Sequence, residues 1–235
     1  MFLPSSNCNF PEKMKAFDRK VIAGWVVCLL IFLFPKQHNA QPFADESMLQ
    51  RLTQQYNLEA RRRGTALNRL LEQLEDKDVK HQLTEVNRFF NQFAYNDDMK
   101  LWGQEDYWAT PEEFIGINGG DCEDYVVAKY FALRSLGVAD EHLYLTYVKA
   151  LKENRAHMVL SYFETPKSTP LILDNYNPEI LLADKRRDLL PVYSFNAKSL
   201  FLTNASAGLG QSLPTDKIKN NKWQKLLDKI NRPGS

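Results

Sequence analysis

An α+β fold is the class this sequence predicts, and three patterns carry the prediction. Apolar residues recur at helical spacing up to about residue 95, and again in a stretch that opens near Cys122. Three segments rich in β-branched, aromatic and aliphatic residues follow, at 143–150, 157–164 and 171–174. Helices first and a mostly antiparallel sheet afterwards is the order of an α+β domain. The 235 residues can bury a core without a disulfide framework, and a composition 44% hydrophobic and 25% charged excludes a wholly disordered chain. With 30 basic and 29 acidic residues the balance is +1, so a nucleic-acid partner is not expected. No internal repeat is visible, which excludes a solenoid.

The first forty residues read as a targeting segment rather than as part of the fold. Lys13, Lys15, Arg19 and Lys20 precede an uncharged apolar run from Val21 to Phe34. As a helix this run covers about 21 Å, short of the ~30 Å hydrocarbon core, which favours a secretory signal over a membrane span. Ala40 is a suitable last residue before cleavage, although His38 sits where a small residue is preferred; an uncleaved anchor is the alternative. The expected organisation is a signal over 1–40 and one exported domain over 41–235, located in the periplasm. That domain carries 25 basic and 27 acidic residues, near −2, and its one cysteine is Cys122, so no intrachain disulfide can form.

Within the domain, Met48, Leu52 and Tyr56 open the helical region. Leu67, Leu70, Leu71 and Leu74 form one stripe, and Val79, Leu83, Val86, Phe90 and Phe93 another. The Arg61-Arg62-Arg63-Gly64 cluster between them reads as a solvated helix end. Tyr95 to Asp106 is polar and aromatic, a loop. Thr110-Pro111-Glu112-Glu113 has a capping threonine and a proline at the first helical position, and its short helix ends near Gly116. Gly119-Gly120 leads into Asp121-Cys122-Glu123-Asp124, the start of a strongly apolar helix that stops at Gly137. After the three strands, 189–202 adds one or two more, 204–212 reads as a Gly/Ser/Ala loop, and an amphipathic helix with Trp223, Leu226, Leu227 and Ile230 closes the chain.

Cys122 is the residue on which chemistry turns. Free N–H groups and the positive dipole end of a helix favour a thiolate, and the two preceding glycines let another backbone approach. A base is needed, and His81, His142 and His157 are the candidates. His157 opens a strand whose hairpin turns at Thr165-Pro166-Lys167-Ser168-Thr169; folding about residues 166–167 sets its partner at 175–177. Asp174 then lies within three residues of the opposed position, where side chains on paired strands are ~5 Å apart. Cys122, His157 and Asp174 thus supply nucleophile, base and orienting carboxylate. Against this, Asp121, Glu123 and Asp124 crowd the thiol; one carboxylate ~6 Å away opposes ionisation by roughly 2.8 kcal/mol at an effective dielectric near 20. Helix capping by Asp121 and Asp124 is one explanation. A bound calcium ion, held by these oxygen ligands, is the other.

The blocks Trp108-Ala-Thr-Pro-Glu-Glu-Phe114, Gly119-Gly-Asp-Cys-Glu-Asp-Tyr125, Ala128-Lys-Tyr-Phe-Ala-Leu-Arg134, His157-Met-Val-Leu160 and Leu171-Ile-Leu-Asp-Asn175 resemble the bacterial transglutaminase-like cysteine proteases, and among them the periplasmic, adhesin-releasing members. The resemblance implies a papain/transglutaminase-like fold with amino-terminal helices on a mostly antiparallel sheet. It implies Cys122, His157 and Asp174 as the triad, and calcium (Ca2+) held by Asp121 and Glu123, with Asp124 a further ligand. It also implies a large repeat adhesin as substrate, cut near its amino terminus in an alanine-alanine-glycine type motif to disperse a biofilm. The partner it implies is an inner-membrane cyclic-di-GMP receptor that sequesters the protease. The alternatives are acyl transfer or deamidation at glutamine by the same triad, and a non-catalytic calcium-dependent binding module.

Overall fold

A computed structural model of the chain describes residues 43–197, 199–204, 208–213 and 221–232. The signal expected over 1–40 lies outside them. Among the described residues no helix is long and apolar enough to cross a membrane.

The amino-terminal helices begin where their caps allow. Asp45 accepts the Met48 N–H at 2.7 Å and starts α1 (Glu46–Arg51), which runs on as a π-helical turn, Leu52–Tyr56. Asn57 accepts the Ala60 N–H at 2.9 Å and starts α2 (Leu58–Leu74); Asp78 starts α3 (Val79–Phe90). The arginine cluster expected to end a helix instead lies inside α2. At Gly64 a β-carbon would come within 2.9 Å of the terminal methyl groups of Leu49 and Leu52, so α2 packs closely on the preceding segment. Arg63 is half-buried. It donates to the Ile115 and Gly116 carbonyls, each at 2.8 Å, satisfying groups left open at the end of the helix Pro111–Ile117.

The polar stretch read as a loop holds two short elements, β1 (Ala94–Tyr95) and α4 (Asp98–Trp102), which lack enough residues to show a period. α5 (Pro111–Ile117) starts with the expected proline and a full capping box between Thr110 and Glu113, and ends at Asn118 in the left-handed region. β2 (Gly119–Gly120) pairs in parallel with β1, and α6 (Cys122–Ser135) follows directly. Both glycines are required. A β-carbon at Gly119 would run into the Ala94 carbonyl, and one at Gly120 into the Asp124 carboxylate.

The second half is a seven-stranded antiparallel sheet in the order β6-β5-β4-β3-β7-β8-β9. β3 (Leu143–Ala150) and β4 (Arg155–Tyr162) are its centre, flanked by β5 (Leu171–Leu173) and β6 (Leu181–Leu182) on one side. On the other side lie β7 (Leu189–Phe195), β8 (Leu200–Asn204) and β9 (Gly208–Leu213). β4 starts and stops two residues earlier than its apolar pattern indicates. The stretch 204–212 was expected as a loop, yet Gly208–Leu213 is an edge strand, held by main-chain pairing with β8 that its small and polar side chains do not signal. The helix α7 (Asn221–Asn231) closes the domain, its buried Trp223 stacked on Phe131 of α6.

α6 is the centre of the core. It packs against α3, α5, β3 and β4, and eleven of its residues are buried. Leu145, Met158, Leu160 and Leu173 of the sheet join Val126, Val127 and Leu133 of α6 in one apolar cluster. A helix gripped on so many sides holds its amino-terminal turn in a fixed place, and that turn carries Cys122.

Candidate active site

The three residues singled out for catalysis stand on three elements that the fold brings together: the first turn of α6, strand β4, and the residue after β5. Cys122 is a free thiol, 8% exposed. Its Sγ lies beside the backbone N–H of Met158, the residue following His157. The register Leu160↔Leu173, carried three residues further, sets Tyr176 against His157, inside the expected 175–177 window. Asp174 is close enough to bond: His157 Nε2 and Asp174 Oδ1 are 2.8 Å apart, both side chains fully buried. Tyr176 lies flat on the imidazole, ring centroids 4.0 Å apart at 10°.

This bond decides which histidine nitrogen is free. Asp174 accepts a further hydrogen bond from the Tyr176 N–H at 2.9 Å, and is held ionised. Burial alone would raise its carboxyl, but the donors from His157, Tyr176 and Arg186 bring it down to about 2. An ionised Asp174 can only accept, so Nε2 carries a proton, and in the neutral ring Nδ1 keeps a lone pair. Nδ1 is buried and has no hydrogen-bond partner among the described residues. The other two histidines are elsewhere. His81 is an exposed residue of α3, and the His142 Nδ1 bonds the Phe163 carbonyl at 2.7 Å.

The acidic residues around the thiol separate into two groups. Glu123 Oε2 accepts from the Cys122 thiol at 3.0 Å, and Asp121 shares this group. Asp121 and Asp124 also form a cluster with Asp98, with ligand oxygens within 4.8 Å of one another. Asp98, from the short α4, carries no local sequence signal of a ligand; only the fold brings it beside residues more than twenty positions away. Asp124 does cap the helix: Oδ2 accepts the Asp121 N–H at 3.3 Å and Oδ1 the Ala109 N–H at 2.8 Å. The expected ligand set of Asp121, Glu123 and Asp124 therefore spans both groups, joined at Asp121.

Burial raises the carboxyls of all three aspartates, Asp98 to about 6, Asp121 to about 10 and Asp124 well above the usual carboxylate range, with Glu123 adding to each. Burial also pushes the Cys122 thiol up, and Glu123 and Asp121 push it higher. Asp98 Oδ1 and Asp121 Oδ1 are buried without any hydrogen-bond partner among the described residues. Two orphaned carboxylate oxygens in an all-oxygen cluster fit a hard divalent cation, which would also offset the charge that opposes the thiolate.

Comparisons with known proteins identify the family. Residues 50–188 match the family model of the bacterial transglutaminase-like cysteine proteinases. Among solved structures, Legionella pneumophila LapG in an EGTA-treated form is 43% identical with a TM-score of 0.67, covering 79% of this chain and 96% of its own. Its calcium-bound form is 45% identical with a TM-score of 0.66, covering 78% of this chain and 98% of its own. No curated protein sequence matches. A cysteine at a buried helix start, an antiparallel sheet carrying a His–Asp pair, and these likenesses lead to one conclusion: the chain belongs to the bacterial transglutaminase-like cysteine proteinases.

Proposed function

We propose that the protein is a calcium-dependent periplasmic cysteine endopeptidase that cuts a large surface adhesin near its amino terminus. Release of the adhesin disperses a biofilm, and an inner-membrane cyclic-di-GMP receptor controls the step by sequestering the protease. The observation that carries the catalytic part is the buried His157–Asp174 bond, which leaves Nδ1 without a partner among the described residues, on the strand packed against the helix that Cys122 opens. The adhesin, the receptor and the periplasm rest on the motif resemblance and on the export segment.

Cys122 Sγ attacks the scissile carbonyl and His157 Nδ1 takes the thiol proton. Asp174 stabilises the imidazolium and holds its tautomer. The Cys122 N–H, free at the first turn of α6, donates to the developing oxyanion. His157 then protonates the leaving amine, and water, activated by His157, hydrolyses the thioester. Asp98, Asp121, Glu123 and Asp124 are the residues that would hold calcium. When bound, the ion supplies positive charge that offsets these carboxylates beside the thiol. The calcium-bound form of the Legionella relative supports this choice of metal.

The same triad serves amide hydrolysis at glutamine and acyl transfer to an amine, which the product distinguishes. An amino-terminal adhesin fragment containing an alanine-alanine-glycine stretch, incubated with the calcium-loaded enzyme, should give two fragments whose masses sum to the substrate plus one water. An uncut product with one glutamine converted to glutamate, or joined to an amine, would replace proteolysis by the transglutaminase-type reaction.

A further inference from the structure

Asp174 meets His157 through one oxygen alone. The other, Oδ2, accepts from Arg186 Nη2 at 2.6 Å, with both side chains buried. The guanidinium is itself gripped, Nε and Nη2 lying 3.0 and 2.7 Å from the Asp188 carboxylate. Its backbone is tied as well. Arg186 closes a single 3-10 turn, Ala183–Lys185, by donating its N–H to the Ala183 carbonyl at 3.2 Å, and accepts the Leu189 N–H at 3.1 Å. Lys185 and Arg187, on either side, are exposed, whereas Arg186 is 3% exposed. An arginine so far from water is costly unless carboxylates meet it in good geometry, and here two do.

We infer that Arg186 is a positioning residue of the active site, which fixes the rotation of the Asp174 carboxylate so that Oδ1 faces His157 Nε2. The inference rests on the triad reading and adds to it a residue that never touches the substrate. A carboxylate held through one oxygen can turn about its Cβ–Cγ bond. A partner on each oxygen removes that freedom, and small misplacements of a catalytic group are costly in rate. The charge of Arg186 also favours the ionised carboxylate, the state that keeps the imidazole proton on Nε2.

The test compares Arg186→Gln, Arg186→Lys, Asp188→Asn and Arg187→Gln, each shown to be folded by circular dichroism. Arg186→Gln should lower kcat roughly tenfold to a hundredfold while KM moves less than about threefold. Arg186→Lys should recover part of the loss, Asp188→Asn should show a smaller loss of the same kind, and Arg187→Gln should match wild type. A second arm needs no turnover and so separates this inference from the proposed reaction. In a Cys122→Ala background, the low-field proton resonance of a carboxylate-bonded imidazole N–H should be present with Arg186 and be lost or move upfield with Gln. A folded Arg186→Gln enzyme with unchanged kcat and an unmoved resonance would overturn the inference.

Discussion

Replacing Cys122 or His157 by alanine is expected to abolish peptide cleavage, lowering kcat by about four orders of magnitude or more, with folding retained. Members of one catalytic unit are not additive, so the double variant should be no worse than either single one. Folding survives because each change is local. Cys122 donates only to Glu123, and the His157 ring bonds only Asp174 among the described side chains. Asp174 differs. Its removal strips a buried partner from Arg186, so Asp174→Ala should lose stability as well as activity, by roughly 1–3 kcal/mol with Asp188 still in place. Asp174→Asn keeps the shape and fits better as a probe of the tautomer. Turnover measured beside thermal unfolding checks both parts. A folded His157→Ala enzyme with near-normal turnover would remove the histidine from the mechanism.

Chelation is expected to have the next largest effect. The metal-free protein should be inactive, recover fully with calcium and poorly with magnesium, which prefers near-octahedral sites and sheds water reluctantly. Stability should show the same dependence. Asp98, raised to about 6 mainly by burial, and Asp121, raised further, bind more protons in the folded chain than in the unfolded one. Their contribution is full below the ordinary carboxylate pKa and is lost as pH rises through the folded values. The melting temperature of chelated protein should therefore fall as pH rises from about 4 through 6 and beyond, and calcium should reverse the fall. Calcium uptake near pH 7 should also release protons, which calorimetry in buffers of different ionisation enthalpy detects. Asp98→Asn should weaken calcium binding and turnover together; full activity in excess chelator would return the acidic residues to capping alone.

The parts of the site readable in the sequence are the local ones. Gly119-Gly120-Asp121-Cys122 encodes the glycine entry, the cap and the helix start within four residues, and the hairpin between β4 and β5 sets Asp174 near His157 by counting from its turn. Asp98 was not readable, because a carboxylate in a short polar segment carries no mark of the residues it will meet. Arg186 was hidden in the same way, inside a basic run that composition assigns to solvent. The misread elements have equally physical reasons. β9 is held by backbone hydrogen bonds, to which side-chain patterns are blind, and α2 continues past Gly64 because close packing on Leu49 and Leu52 offsets what a mid-helix glycine costs.

Activation of Cys122 by His157 is read from the rate at which an alkylating reagent modifies Cys122 as pH is varied. Rapid modification of the calcium-loaded wild type is expected, with a step in rate that follows histidine ionisation. In His157→Ala that step should vanish, leaving slow modification that rises only at the alkaline pH where a buried thiol ionises. Superimposable pH profiles for the two folded proteins would mean that His157 does not activate the thiol.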